Sequence, residues 1–149
     1  MQKTFQVISD PGHAWCKVPF SVLAELRIVD AITYYSYVRK GFAYLEEDCD
    51  LSAFVAAYRE ETGVSPIFKE STADKYSRVR GYEVYTTTRA AEWALKELLN
   101  KALAKKLNSN QKMTCRYLTN LLPEDHITKV FLKEYLEAES RLEIVHVGG

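Results

Sequence analysis

The first 25 residues combine alternating apolar and polar positions with a short helical pattern. Residues 4–8 alternate in polarity and precede an Asp-Pro-Gly turn, which predicts a strand. Residues 15–18 are the predicted hairpin partner of that strand. Pro19 suits the first position of a helix, because its missing N–H group would have no partner there. The apolar residues that follow lie on most sides of this helix, which predicts that it is buried.

A second hairpin is predicted in the next segment. Tyrosine and β-branched residues over 31–38 favour a strand. A short link that contains Gly41 joins this strand to residues 42–46, which are apolar except for the last, and such a link is typical of a β-hairpin.

A helix is predicted between Asp50 and Gly63. The Asp50 carboxylate is expected to accept a free backbone N–H at the helix start, and glycine is the usual residue at a helix C-terminus. Residues 64–69 contain a proline and predict an edge strand. One apolar stripe at helical spacing marks the helix: Leu51, Phe54, Val55 and Tyr58.

The rest of the chain has mainly helical patterns. Apolar residues at helical spacing begin near Thr88 and are supported by i,i+4 Glu–Lys pairs. Further helices are predicted over 111–121 and from Pro123 onward, and residues 142–147 are interpreted as a last strand or an ordered tail. The helix after Pro123 is expected to bury one side: Ile127, Val130, Phe131, Tyr135 and Leu136.

These patterns predict an α+β protein. A small antiparallel sheet with two short helices is expected over residues 1–82, and a helical extension packed on it over residues 83–149. A length of 149 residues suits about one ordinary domain, and no linker composition separates the two units.

Composition and charge narrow the possible functions. Lys+Arg and Asp+Glu are equal at 20 each, which argues against a general nucleic-acid binder but leaves room for a local basic patch. The three cysteines form no CxxC pair, so zinc ribbons and thioredoxin-type chemistry are disfavoured and a reducing compartment is expected. No signal peptide or membrane span is visible, so we expect a soluble cytoplasmic protein with no membrane partner. Phosphate-binding and hydrolase motifs are missing, and no cofactor is expected.

Four stretches give the chain a family resemblance. They are Ser9-Asp10-Pro11-Gly12-His13-Ala14-Trp15, Lys17-Val18-Pro19, Tyr35-Ser36-Tyr37 and Tyr44-Leu45-Glu46-Glu47-Asp48-Cys49-Asp50. Over roughly its first 80 residues the chain resembles short proteins encoded by bacteriophages and other mobile elements. The resemblance implies an accessory role in the cytoplasm of a host bacterium, with interference with a host defence as one form of it.

The predicted hairpins contain candidate contact residues. Tyrosine and arginine are enriched at the centres of protein interfaces, so exposed Tyr35, Tyr37 and Arg39 would form a compact anchor. The turn after the first strand adds His13 and Trp15. For one side of the tyrosine-rich strand, burial in the core is at least as well supported as exposure at an interface.

An enzymatic alternative would use His13 with Cys16, because a nearby imidazole can activate a thiol. Positions 13 and 16 of a strand point to opposite faces, however, and no third orienting residue is recognisable. A buried structural cysteine is the favoured interpretation.

The acidic run beside the predicted helix allows two interpretations. Carboxylates can bind a divalent cation, but the EF-hand glycine and terminal glutamate are missing. Acidic groups before a helix also interact favourably with its N-terminal dipole, so a metal site is disfavoured and none is assigned. The run could instead meet a basic partner or serve a small enzyme; its residues are Glu46, Glu47, Asp48 and Asp50.

The connector over residues 69–82 interleaves basic and aromatic side chains, a pattern that can hold phosphates and stack bases. Acidic neighbours favour a solvated loop instead. Its basic candidates are Lys69, Lys75, Arg78 and Arg80. The sequence therefore favours a non-enzymatic accessory protein that binds a host or phage protein, with nucleic-acid binding through this connector as the first alternative.

Overall fold

Strands dominate the first half of the chain and helices the second. The computed structural model describes residues 2–73, 75–130, 133, 134 and 137. Within them it confirms the predicted α+β class. The predicted strand or tail over 142–147 and the side chains of Phe131, Tyr135 and Leu136 lie outside the described residues.

The first hairpin consists of β1, Thr4–Ser9, and β2, Ala14–Pro19, which pair antiparallel as the sequence predicts. Pro19 ends β2 and occupies the N-cap of helix α1, Phe20–Glu25. The change from strand to helix at one residue fits proline, because its fixed φ and missing N–H suit a helix start.

The second hairpin is shorter than predicted. Its strands are β3, Tyr37–Arg39, and β4, Phe42–Glu46. Lys40 and Gly41 join them with φ values of 47° and 87°, the left-handed backbone that a two-residue hairpin turn requires. The predicted link is therefore confirmed.

The prediction of a strand over 31–38 is wrong for most of its length. A 3-10 turn ends at residue 31, and the next residues form a loop before β3. The Asp50 carboxylate holds this loop by accepting hydrogen bonds from the Thr33 N–H, the Thr33 hydroxyl and the Ser36 hydroxyl. These buried polar bonds outweigh the β propensity of the tyrosines.

The same bonds correct the predicted role of Asp50. It is the N-cap residue of α2, Leu51–Thr62, but its side chain makes no capping hydrogen bond to that helix. The C-terminal prediction is confirmed, since Gly63 follows α2 in the left-handed conformation with φ of 78°.

The sheet is mixed, whereas the sequence predicts an antiparallel one. The predicted edge strand exists as β5, Ile67–Thr72, and pairs parallel to β1. A further short strand, β6, Glu83–Val84, pairs antiparallel with β3 at the other edge. The strand order is β5-β1-β2-β4-β3-β6.

Helices follow the sheet in sequence. Two helices of the second half are α3, Thr87–Ala104, and α4, Ser109–Thr119, both of them predicted. Asn108 is the N-cap of α4 and forms a capping box with Gln111. None of the described helices is long and apolar enough to cross a membrane.

Residues 127–130 are helical as predicted, but the side of this helix that is buried is not the predicted one. Ile127 and Val130 are exposed, and Thr128 and Lys129 are buried in their place. Lys129 is accommodated because its ammonium donates to the Leu122 carbonyl and to a glutamate carboxylate.

The two faces of the sheet carry different cores. Strand residues such as Cys16, Val18 and Leu45 join the buried residues of α1 to α4 in the main hydrophobic core. On the other face Trp15 and Tyr44 form a smaller cluster with Val79 of the 3-10 turn Arg78–Gly81.

Candidate functional site

Side-chain alternation along β2 decides which of the candidate residues can meet. Cys16 belongs to the helix-covered core, whereas Trp15 belongs to the cluster on the opposite face. Burial raises the pKa of the Cys16 thiol to about 12, so it is neutral at physiological pH. His13 lies in the turn beside Trp15, and its side chain is partly exposed. The Cys16–His13 pair considered from the sequence is therefore contradicted.

An open cleft of about 310 Å³ lies where β2 begins and β4 ends. Trp15 is paired with Glu46 across these strands, which places the two side chains together at the sheet end. The cleft brings together most of the candidate residues: His13, Trp15, Tyr35, Tyr37, Glu46, Asp48 and Arg80.

Asp10 fixes one wall of this cleft. Its Oδ1 accepts the backbone N–H groups of Gly12 and His13, each at 3.0 Å, an arrangement typical of an Asx turn. Its Oδ2 accepts the Ser77 N–H at 2.9 Å. The Arg80 guanidinium adds two bonds, Nε to Oδ2 at 2.7 Å and Nη2 to Oδ1 at 2.9 Å. The buried carboxylate thereby joins the turn after β1 to the connector.

This environment favours the charged form of Asp10. The Arg80 hydrogen bonds, with those from Ser77, Gly12 and His13, hold the pKa of the Asp10 carboxyl far below its usual range, although burial acts in the opposite direction. Asp10 is therefore ionised throughout the physiological range, and its charge balances that of Arg80.

Arg80 is a structural part of the cleft wall. Its guanidinium lies over the rings of Trp15 and Tyr76, at 5.3 Å and 4.5 Å from their centroids. A Cβ atom at position 12 would lie 2.8 Å from Arg80 Nη2, which explains glycine in the turn. Asp10 balances the charge of Arg80, so this guanidinium belongs to a partly buried ion pair and is not a solvated side chain of the connector.

Other predicted site residues lie elsewhere. Arg39 stacks over Tyr82 at 4.8 Å and lines a separate groove between the β3–β4 turn and α3. Arg78 is exposed in the 3-10 turn and does not line the cleft. Glu47 is exposed beside the cleft but is not part of its lining.

Glu46 occupies the inner end of the cleft and is buried, with 7% of its surface exposed. Its Oε2 accepts the backbone N–H groups of Asp48 and Cys49 at 3.0 Å and 2.9 Å. Its Oε1 lies 3.5 Å from His13 Nδ1. One carboxylate oxygen therefore orders the loop after β4, and the other faces the imidazole.

His13, Glu46 and Asp48 form a group of potential metal ligands. One donor atom from each lies within 4.8 Å of the other two. Cys49 adjoins them, but partial desolvation and the carboxylates of Glu46, Asp50 and Asp48 raise the pKa of its thiol above the usual range. The cleft therefore offers one imidazole and two carboxylates, with a neutral thiol at its edge.

Tyrosines border the outer end of the cleft. Tyr34 and Tyr35 stack with ring centroids 4.6 Å apart and are 66% and 55% exposed. Tyr37 is half-buried and packs edge-on against Trp15, with their ring centroids 6.3 Å apart. Tyr37 thus contributes to the wall, whereas Tyr34 and Tyr35 remain available for contact.

No protein-family model, curated protein or solved structure matches this chain. Chemical conclusions about the cleft therefore rest on its own geometry.

Sequence reasoning missed two organising residues, Asp10 and Ser36. The Ser36 hydroxyl accepts the Glu46 N–H at 2.9 Å and donates to Asp50. These two bonds connect the loop that contains Tyr34 and Tyr35, called the tyrosine loop below, to the end of β4. The Asp-Pro-Gly-His turn signals an Asx turn and could have indicated the local bonds of Asp10. Nothing in the local sequence indicates its bond to Arg80, because 70 positions separate them.

Proposed function

We propose that this chain is a non-enzymatic accessory protein of a bacteriophage or mobile element, and that it binds a protein of the host or of the element through the cleft. The observation that supports this most is the stacked, exposed pair of Tyr34 and Tyr35 at the cleft edge. Large aromatic side chains at the surface beside a concave site are typical of interface anchors.

Arg80, which lines the cleft, contacts a further exposed aromatic ring. Tyr76 is 75% exposed and stacks on the Arg80 guanidinium. Arg80 is itself held by Asp10, so this edge of the cleft is ordered before any partner arrives. Such preorganisation reduces the entropy lost on binding.

The charge at the inner end favours a basic protein surface as partner. Glu46 and Asp48 line this end, and the Arg80 charge is balanced by Asp10. A partner that presents lysine or arginine would be electrostatically complementary, whereas the phosphates of a nucleic acid would be repelled.

The proposal is tested by capturing partners from a host lysate with the purified chain, in parallel with and without nuclease treatment. Binding is expected to survive nuclease. With the captured protein purified, Tyr35→Ala is expected to weaken binding about 30-fold, which corresponds to the roughly 2 kcal/mol of an interface hot spot. Phe68→Ala is the matched control, because Phe68 is an exposed aromatic residue on β5 outside the cleft.

Two results would contradict the proposal. Binding that Tyr35→Ala and Phe68→Ala leave equally intact would show that the tyrosine edge is not the contact surface. Binding that disappears with nuclease and falls steeply with salt would instead favour the nucleic-acid alternative through the 69–82 connector.

A further inference from the structure

The inner end of the cleft has the donor atoms of a metal site. We propose that His13, Glu46 and Asp48 bind one divalent transition-metal ion. This inference goes beyond the docking function and requires no partner, because all three ligands come from this chain.

The distances suit a single ion. Ligand atoms about 2.1 Å from a tetrahedral zinc ion lie about 3.4 Å from one another. His13 Nδ1 and Glu46 Oε1 are already 3.5 Å apart. With Asp48 included, the three donor atoms lie within 4.8 Å of one another, so small side-chain rotations would complete the set.

The Glu46 side chain and the His13 backbone are held in position by hydrogen bonds. Glu46 Oε2 is fixed by two backbone N–H groups, which leaves Oε1 directed toward His13. The His13 backbone is fixed from both directions, since its N–H donates to Asp10 Oδ1 and its carbonyl accepts the Asp10 N–H at 2.9 Å. Supporting hydrogen bonds of this kind orient the ligands of known metal sites.

The donor types indicate the class of ion. An imidazole with two carboxylates suits Zn²⁺ or Mn²⁺, whereas Mg²⁺ and Ca²⁺ favour oxygen ligands alone. The ion would offset the charge of two neighbouring carboxylates, one of them buried, and would thereby reduce the attraction of this end of the cleft for a basic partner. Sequence spacing pointed away from this site, because the imidazole comes from a different hairpin than the acids.

A separate observation concerns Trp15, whose indole has a hydrogen-bond donor that is unpaired within the described part of the chain. Trp15 lines the cleft and is 2% exposed, and its indole N–H is buried without a hydrogen-bond partner among the described residues. Buried donors are normally paired, so an acceptor that enters with the ion, such as water or a carboxylate, would satisfy this group.

The experiment titrates the metal-free full chain, with any affinity tag removed, with Zn²⁺ by calorimetry and with Mn²⁺ by electron paramagnetic resonance. One ion per chain is expected. His13→Ala and Asp48→Asn are each expected to weaken binding at least about tenfold, the range seen even for changes in supporting residues. Glu47→Gln removes a neighbouring charge outside the ligand set and is expected to leave the affinity unchanged.

Three outcomes would overturn the proposal. The first is the absence of stoichiometric binding of either ion. The second is equal binding by the wild type, His13→Ala and Asp48→Asn. The third is Zn²⁺ binding that survives His13→Ala but is lost in Cys49→Ser, which would identify an adventitious thiolate site. If a ligand variant fails to fold, Glu46→Gln replaces it with the same expected result, because its amide oxygen can still accept the loop N–H groups.

Discussion

The two faces of the sheet differ in what covers them. Helices seal one face, where Cys16, Val18 and Leu45 lie in the main core with no exposed surface. The other face is covered only in part by the 3-10 turn Arg78–Gly81, and at its end an open cleft displays charged and aromatic side chains. The helix-covered face supplies most of the apolar burial that stabilises the fold, and the open face supplies groups that can bind.

The open cleft keeps its shape by other means than the helix-covered core. On the helix-covered face, close packing holds side chains in place. At the cleft, buried carboxylates hold the loops: Asp10 binds the turn and the connector, and Asp50 binds the tyrosine loop. Substitutions on the two faces should therefore change the free energy of unfolding by different amounts, and these changes should depend differently on pH.

The largest effect is expected for Leu45→Ala on the helix-covered face. Leu45 is fully buried, and truncating it removes apolar burial and leaves a cavity. The free energy of unfolding should fall by about 3 kcal/mol, measured by urea unfolding at neutral pH. A change below about 1 kcal/mol would show that this face is less closely packed than the comparison requires.

The next largest effect is expected for Asp10→Asn. The folded-state pKa of Asp10 lies below its unfolded value, so ionised Asp10 stabilises the fold above about pH 4 and loses this contribution as the pH falls further. The variant should be less stable than the wild type at pH 7, and the difference should shrink on acidification.

Urea unfolding of both proteins at about pH 7 and pH 3 provides the check. Equal stability at pH 7 would contradict the role of Asp10 as the link between the turn and the connector. A difference that grows on acidification would contradict the direction of its pKa shift.

Gly12→Ala should have a smaller effect. The added methyl would lie 2.8 Å from Arg80 Nη2, which cannot move away without disturbing its bonds to Asp10. We expect a loss of about 1 kcal/mol in thermal or urea unfolding. Combining Gly12→Ala with Arg80→Ala should remove the clash, so the two losses should not add.

The smallest effect on stability is expected for Tyr35→Ala. Its ring is more than half exposed and packs mainly on Tyr34, so the free energy of unfolding should change by less than about 0.5 kcal/mol. The same variant is expected to show the largest loss of partner binding. A stability loss comparable to that of Leu45→Ala would assign Tyr35 to the fold instead.

Local patterns predicted much of the fold. Both hairpins, the helix that ends at Gly63 and the helices α3 and α4 follow from periodicity, turn residues and caps. The pattern failed at 31–38, because a side chain distant in sequence, Asp50, binds that segment as a loop. The β propensity of a segment depends on its own residues and does not include hydrogen bonds to a residue as distant in sequence as Asp50.

The sequence drew attention to individual residues that line the cleft, but not to their grouping. His13, Tyr35 and Glu46 were singled out as unusual, and the strand pairing of β2 with β4 brings them to one cleft. Their grouping with Arg80, and the balancing of its charge by Asp10, depend on the path of the connector. Sequence periodicity contains no information on that path.

The exposed side chains of the cleft are available for binding because they contribute little to the stability of the fold. One triple variant tests this central claim most directly. His13→Ala, Tyr35→Ala and Asp48→Asn would be combined, and the free energy of unfolding measured in urea against the wild type. A loss below about 1.5 kcal/mol, the sum of three ordinary surface substitutions, is expected. A loss above about 3 kcal/mol would contradict the claim, because it would show that these residues stabilise the fold as core residues do.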